Sequence, residues 1–301
     1  MDGIINVYKE AGYTSFDVVA KLRGILKQKK IGHTGTLDPD AKGVLPVCIG
    51  KATKLCEYLT GKDKIYQAVL HLGITTDTQD LSGRVLKEQT PDVSEETICL
   101  ILDRFIGRQK QVPPMYSALK VNGKKLCDLA RQGVEVERKA REIEIFSIEI
   151  LSVKFPRVTL QVHCSKGTYI RTLCQDIGEM AGCGGCLEKL VRIKSGRFSI
   201  QDSYKLAEIE TAVLGKAPLG RQIHDILLPV DAVLEEYPKI SAVSGTEKIL
   251  YNGGRLSVSK IKQNKESLSG LYRMYDTEGL FIGLFRYEEN LRELVPEKMF
   301  L

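Results

Sequence analysis

The sequence contains no tryptophan, only four histidines and no long hydrophobic run. No stretch approaches the roughly 20 apolar residues that a membrane helix requires. The N-terminal segment also lacks the apolar core of a signal peptide, since Asp2 begins it and Lys9 and Glu10 interrupt its short apolar run. We therefore expect a cytoplasmic protein that does not contact a membrane.

A large excess of one charge is absent as well. The 301 residues include 44 Lys and Arg against 38 Asp and Glu, a formal net charge of +6, which permits an anionic partner such as nucleic acid without establishing one. Eight cysteines are present, but a chain of this length buries a sufficient core without disulfides, so we expect reduced thiols. The length indicates about two domains.

Hydrophobic spacing predicts helices mixed with strands. Thr14 and Ser15 can cap a helix. The apolar face of that helix would contain Phe16, Val19, Leu22 and Leu26. Residues 65–72 and 158–164 alternate like strands, and helical spacing follows at 170–177. Because strands and helices do not alternate strictly, we expect an α+β fold around a mixed, mostly antiparallel sheet flanked by helices.

The C-terminal part has a different pattern. Beyond residue 235, short apolar segments are broken by turn sequences at 252–254 and 276–279, which is typical of a small β-rich module. We therefore expect one domain over residues 1–235 and a β-rich module over residues 236–301.

The most informative segment is the loop at residues 32–46, which reads GHTGTLDPDAKGVLP. Its glycines and prolines surround two carboxylates, Asp38 and Asp40, and His33 lies five residues before Asp38. An Asp-Pro pair favours a defined turn, so Asp38 can simply cap the backbone. Functional residues are also concentrated on such loops, and sequence chemistry alone leaves both interpretations open.

Common phosphate, redox and metal motifs do not account for the sequence. A P-loop needs four residues between its first glycine and Gly-Lys, whereas six separate Gly43 from Gly50, and alanine stands in place of the final Ser or Thr. No dinucleotide-binding glycine pattern follows a strand and opens a helix. Cys183 and Cys186 have the spacing of half a zinc site, but no second pair is evident, so we expect ordinary thiols at a turn.

Two groups of basic residues favour a nucleic-acid partner. The stretch from Lys120 to Arg141 carries seven basic and three acidic residues. A second group follows later: Lys189, Arg192, Lys194 and Arg197. Either group alone is more typical of a solvated surface.

Between the two basic groups, the segment KGTYIRT at 166–172 closes a strand and opens a helix. Its Arg171 can bind a carboxylate or phosphate, or it can satisfy backbone carbonyls.

Four segments carry long motifs. They read GHTGTLDPDAKGVLP from residue 32, KIYQAVLHLG with TDTQD from residue 64, PPMYSALKVNGKKLCDLARQG from residue 113 and VHCSKGTYIRTLCQDIG from residue 162. In this order they resemble the TruB family of bacterial tRNA pseudouridine synthases, and the last 65 or so residues look like that family's PUA-type RNA-binding module. One departure is Glu10, which stands where the family motif has proline.

The resemblance implies a pseudouridine-synthase-like fold and an enzyme that isomerises uridine to pseudouridine at position 55, in the T-loop of tRNA, without metal or organic cofactor. It implies that Asp38 is the catalytic aspartate. It also implies substrate-binding roles for His33, Tyr66, Tyr169, Arg171 and Leu190. Among these, Tyr66 would stack on the base, His33 would enter the T-loop and Leu190 would line the uracil pocket. The expected partner is tRNA, through its T-loop and acceptor arm, and the expected state is a monomer.

The implied reaction breaks the N1–C1′ bond, turns the uracil over and joins C5 to C1′. A carboxylate can attack C1′ or take the C2′ proton, and both routes need Asp38 ionised, which Arg171 would favour. A non-catalytic tRNA-binding folding chaperone would share the basic surface without needing Asp38. A pseudouridine synthase with another RNA target would keep Asp38, and the sequence discriminates this alternative poorly.

Overall fold

The structure is a computed structural model of the chain, and it describes residues 1–262 and 268–301. The strands are β1 (Gly3–Lys9), β2 (Ile31–His33), β3 (Lys42–Ile49), β4 (Lys64–Leu72), β5 (Ile74–Thr76), β6 (Val85–Glu88), β7 (Gly107–Gln111), β8 (Lys120–Val121), β9 (Lys124–Lys125), β10 (Arg141–Lys154), β11 (Arg157–Cys164), β12 (Gly185–Ser195), β13 (Phe198–Ser199), β14 (Lys239–Ser241), β15 (Leu256–Ser257), β16 (Leu271–Tyr275), β17 (Phe281–Glu288) and β18 (Glu293–Met299). The α-helices are α1 (Ser15–Leu26), α2 (Cys56–Thr60), α3 (Glu95–Asp103), α4 (Leu126–Arg131), α5 (Ile170–Met180), α6 (Leu206–Val213), α7 (Ile223–Ile226) and α8 (Glu247–Tyr251). Short 3-10 helices span Gly50–Leu55, Ile200–Asp202, Pro218–Gly220, Asp231–Leu234 and Val258–Lys260.

The main sheet has nine strands. Seven follow the order β1-β3-β12-β4-β11-β10-β7, while β2 pairs with β3 and β13 pairs with β12. Every pair in this sheet is antiparallel except β3 with β12, whose short parallel contact joins Lys42 to Val191 and Gly43 to Arg192. This arrangement confirms the predicted α+β fold with a mixed, mostly antiparallel sheet.

The first helix begins as predicted but buries a different face. Thr14 is its N-cap and exchanges hydrogen bonds with Asp17 in a capping box. The prediction that Phe16 faces the core is wrong, because its surface is 65% exposed. Ser15 takes the buried position instead, since its Oγ accepts a hydrogen bond from the N–H of Leu37 at 2.9 Å. The helix then buries Val18, Val19 and Leu22.

The centre of the sheet packs under two helices. Alternate residues of β4 are buried, as predicted, and so are those of β11: Tyr66, Ala68, Leu70, Leu72, Val158, Leu160, Val162 and Cys164. They form one core cluster with apolar residues of α3 and α5. The packing fixes α5 against β4 and β12, and therefore fixes the corner at which α5 begins.

A second sheet of five strands, in the order β14-β16-β17-β18-β15, occupies the C-terminal part. It has an apolar core of its own, which includes Met274 and Phe285. It also packs on the N-terminal part of the chain, because Leu284 and Phe300 share a buried cluster with Ile4. A small β-rich C-terminal module is thus confirmed. Within the residues that the structure describes, no helix is both long and apolar enough to cross a membrane.

Candidate active site

Asp38 lies on the loop between β2 and β3, and a fully buried lysine holds the backbone that follows it. The Nζ of Lys9, at the end of β1, donates to the carbonyls of Pro39 and Ala41 at 2.9 and 2.6 Å. Burial lowers the pKa of Lys9 to about 8, against the opposing attraction of Asp38, so the ammonium remains largely charged at neutral pH. Glu10 contributes its carbonyl to the same Nζ at 3.1 Å, so this substitution does not displace Lys9.

Arg171 meets Asp38 from the first turn of α5. Its Nη2 lies 3.3 Å from Oδ2 of Asp38 and donates to the carbonyl of Tyr116 at 2.7 Å. Its Nη1 lies 3.7 Å from Oδ2 of Asp80. The Arg171 side chain is only 7% exposed, whereas 45% of the Asp38 side chain is open to solvent. Asp38 therefore offers its carboxylate to an incoming molecule while Arg171 holds it from the protein side.

Opposing influences act on the charge of Asp38. Partial burial raises the pKa of this carboxyl above its usual range, because desolvation disfavours the ionised form. The Arg171 guanidinium lowers the pKa, and the nearby Asp80 carboxylate raises it further. Arg171, with a smaller contribution from Lys9, therefore limits the rise and favours the carboxylate form.

Tyr66 lies on the buried face of β4 beside Arg192, whose surface is only 1% exposed. Arg192 is its cross-strand partner on β12, and against the larger effect of burial the Arg192 charge lowers the pKa of the phenol. The same guanidinium donates to the carbonyls of Val44 at 2.7 Å and Gly35 at 3.1 Å, so it also holds both ends of the Asp38 loop. Burial raises the pKa of Tyr66, which keeps the phenol protonated at neutral pH.

Leu190 extends the apolar surface around Tyr66. It pairs with Ala68 on β4, two residues from Tyr66, and it packs against the core cluster that contains Tyr66, Ala68 and Leu37. Leu37 directly precedes Asp38. An apolar and aromatic cluster thus lies behind the carboxylate, with the partly buried Leu190 at its edge.

Tyr169 and His33 each lie within the electrostatic influence of an arginine of this group, Arg171 and Arg192 respectively. Tyr169 is the N-cap residue of α5, and its ring centroid lies 5.9 Å from the guanidinium carbon of Arg171. His33 is the half-buried last residue of β2. Burial and the charge of Arg192 lower the pKa of His33, so its neutral form is favoured at neutral pH.

The two basic groups differ in structure. In the first group, Lys120 on β8 and Lys124 and Lys125 on β9 are exposed to solvent. The second is not one exposed patch, as the sequence suggested, because Arg192 is buried under the loop and Arg197 binds the Ala232 carbonyl. The first group therefore remains the better candidate for contact with a phosphate backbone.

Sequence reasoning did not assign roles to several residues that shape this site. Asp80 lies in the TDTQD segment but had no predicted role, and Tyr116 acts through its carbonyl, which a sequence does not record. Arg192 had a usable signal, since it shares a strand face with Leu190 at period two. Cys183 lies at the turn before β12 and Cys186 on β12 itself, and both are buried free thiols. In residues 1–262 and 268–301, no cluster of three or more His, Cys, Asp or Glu could hold a metal.

Comparisons with known proteins show the family of this chain. Residues 23–170 match the model of the TruB family pseudouridylate synthase N-terminal domain, and residues 171–235 match that of the tRNA pseudouridylate synthase B C-terminal domain. The chain is 49% identical to tRNA pseudouridine synthase B of Lachnoclostridium phytofermentans, with 100% of both chains covered. It is 46% identical to tRNA pseudouridine synthase B of Clostridium acetobutylicum, with 96% of both covered.

Solved structures are also similar. A Cbf5-Nop10-Gar1 complex matches with a TM-score of 0.74 and 27% identity, over 99% of this chain and 85% of the other. An H/ACA RNP bound to a substrate RNA containing 2′-deoxyuridine matches with a TM-score of 0.73 and 25% identity, over 99% and 85% of the two chains. The similarity therefore extends over nearly the whole chain.

Proposed function

Because this chain belongs to the TruB family of pseudouridylate synthases, we propose that it isomerises uridine at position 55, in the T-loop of tRNA. Isomerisation of uridine to pseudouridine in tRNA is the activity of this enzyme class. The two relatives named above carry the name of that class, and their similarity covers 100% and 96% of this chain. The contact between Asp38 and Arg171 at the edge of an apolar surface is the observation that carries the assignment of the site.

Asp38 is the catalytic carboxylate in this proposal. It acts on the ribose of the target uridine, either at C1′ as a nucleophile or at the C2′ proton as a base, and both routes need the ionised form. The N1–C1′ bond breaks, the uracil rotates, C5 bonds to C1′ and the proton on C5 is released. The exposed carboxylate and the buried cation behind it support this role, because Arg171 favours ionisation without covering the face that meets RNA.

The apolar surface beside Asp38 receives the uracil. A uridine in a folded T-loop must leave its stack to reach Asp38, so the base is expected to flip out. Tyr66 stacks on the flipped base, and its phenol can assist removal of the C5 proton. Leu190 packs on the base as well, and His33 fills the gap that the base leaves. Tyr169 stays beside Arg171 at the rim of the pocket.

The rest of the chain binds the folded tRNA in this proposal. The exposed lysines of β8 and β9 contact the backbone of the T-loop arm, since recognition of folded RNA relies on shape and phosphates. Residues 1–235 form the catalytic domain, and residues 236–301 form a PUA-like module that contacts the acceptor arm. The protein acts as a monomer in the cytoplasm and needs no metal or organic cofactor.

Release of tritium from a tRNA transcript labelled at uracil C5 tests the proposal, because isomerisation replaces that hydrogen. We expect release by the wild type and none by Asp38→Asn. We also expect none from a transcript in which cytidine replaces uridine 55. Release from that changed transcript would place the target elsewhere in the RNA. Tight tRNA binding without release from any sample would contradict catalysis and favour an RNA-binding chaperone.

A further inference from the structure

We propose that Gln111 is a positioning residue that fixes the start of α5 and thereby holds Arg171 against Asp38. The inference rests on the proposed function, because it concerns how the same site is kept in order. Gln111 is the last residue of β7 and is only 5% exposed. It touches neither Asp38 nor the surface that receives the base in our proposal, so its role would be exerted through the backbone of Tyr169.

The side-chain amide of Gln111 clamps one residue of the main chain. Its Oε1 accepts a hydrogen bond from the N–H of Tyr169 at 2.8 Å, and its Nε2 donates to the carbonyl of Tyr169 at 3.1 Å. Tyr169 is the N-cap of α5, and its side chain makes no capping hydrogen bond. A helix start usually needs a side chain that satisfies its free backbone groups. Gln111, from strand β7, satisfies one of these groups, the N–H of Tyr169, and adds a second bond at the Tyr169 carbonyl.

The contacts of Arg171 show why the helix start matters. Its distances to the Asp38 and Asp80 carboxylates are 3.3 and 3.7 Å, longer than the roughly 2.7–2.9 Å of strong charge-assisted hydrogen bonds. Its short bond, at 2.7 Å, goes to the carbonyl of Tyr116. The guanidinium is therefore located mainly by the backbone, through α5 on one side and Tyr116 on the other.

Gln111 ties these two backbone segments together. It lies five residues before Tyr116 in the chain, and its amide binds Tyr169, two residues before Arg171. Without this clamp, the start of α5 can shift relative to the segment that contains Tyr116. A shift of about 1 Å at a catalytic group can lower a rate about 100-fold. Because Arg171 opposes the effect of burial on Asp38, its displacement would also move the ionisation of Asp38 to higher pH.

The experiment compares two glutamines of one strand. Gln111→Met keeps the length of the side chain but removes both hydrogen bonds to Tyr169. Gln109→Met is the matched control, because Gln109 donates to the carbonyl of Phe105 at 2.6 Å, outside the site. Single-turnover tritium release is measured from pH 4 to pH 9, together with tRNA affinity and thermal unfolding. We expect Gln111→Met to be about 10- to 100-fold slower, with unchanged affinity and an acidic limb at higher pH.

The control should keep the wild-type rate and pH profile. If Gln111→Met does not fold, Gln111→Asn replaces it, since the shorter amide cannot span both backbone atoms of Tyr169. A wild-type rate and profile in the Gln111 variant would overturn the inference and leave the proposed function intact. Equal slowing in both glutamine variants, without a shift of the acidic limb, would overturn it as well. An inactive wild type would contradict the proposed function, and this inference with it.

Discussion

Replacing Gly43 by alanine should force β3 and β12 apart at the edge of the site. Gly43 has φ of 108°, a backbone conformation that favours glycine. A Cβ at this position would lie 2.2 Å from the carbonyl oxygen of Arg192 and 2.9 Å from its backbone C and N. An ordinary contact needs about 3.4 Å or more, so one strand must move by about 1 Å.

The magnitude follows from two separate causes. An alanine at positive φ costs about 1–3 kcal/mol of stability, and the steric overlap adds a similar amount. Gly107 offers a matched control, because its φ is 103° but no described atom lies within 4 Å of a Cβ there. Gly107→Ala should therefore show the backbone strain alone, while Gly43→Ala should be destabilised by about 2–6 kcal/mol.

Urea unfolding and single-turnover tritium release together test this reasoning. The loop that carries Asp38 runs into β3, and β12 carries Leu190, so separating the two strands changes the distance between the carboxylate and the base surface. We expect turnover by Gly43→Ala to fall about 100-fold and turnover by Gly107→Ala to stay normal. Equal losses of stability in both variants, with normal turnover in Gly43→Ala, would refute the argument.

Three further changes test other parts of the structure. Lys9→Met should slow tritium release about 100-fold and keep tRNA affinity, because the backbone after Asp38 loses its anchor; an unchanged rate would contradict this. Burial raises the pKa of Asp176 from 3.8 to about 6, so the stability linked to its protonated form is present below pH 4 and is lost as the pH rises to 6. Asp176→Asn should therefore increase the free energy of unfolding at pH 8 by at most about 3 kcal/mol and raise the thermal midpoint there, with hardly any change at pH 4. Equal gains in the thermal midpoint at both pH values would rule this out. Tyr66→Phe should bind tRNA and turn over more slowly, and normal turnover would show that the phenol does not assist removal of the C5 proton.

The fold was predictable where burial follows a short period along the chain. Alternation in β4 and β11 predicted strands whose inward residues are indeed buried. Phe16 shows the limit of such reasoning. Its apolar side chain suggested a core position, but the hydrogen bond of Ser15 with Leu37 fixes the rotation of α1 and turns Phe16 toward solvent. That bond joins residues 22 positions apart, so local spacing does not contain it.

The contacts that hold the site in place were also harder to predict, because they join residues that are distant in sequence. Arg192 belonged to a run of basic residues and so suggested a solvated surface, yet it is buried. A buried cation is stable only where acceptors converge on it, and here the acceptors are carbonyls 148 and 157 residues away in sequence. Every residue type has such a carbonyl, so no motif can record them. The sequence therefore indicates the groups that would face RNA, such as Asp38, whereas the folded chain alone identifies the backbone that holds Arg171 and Lys9 around it.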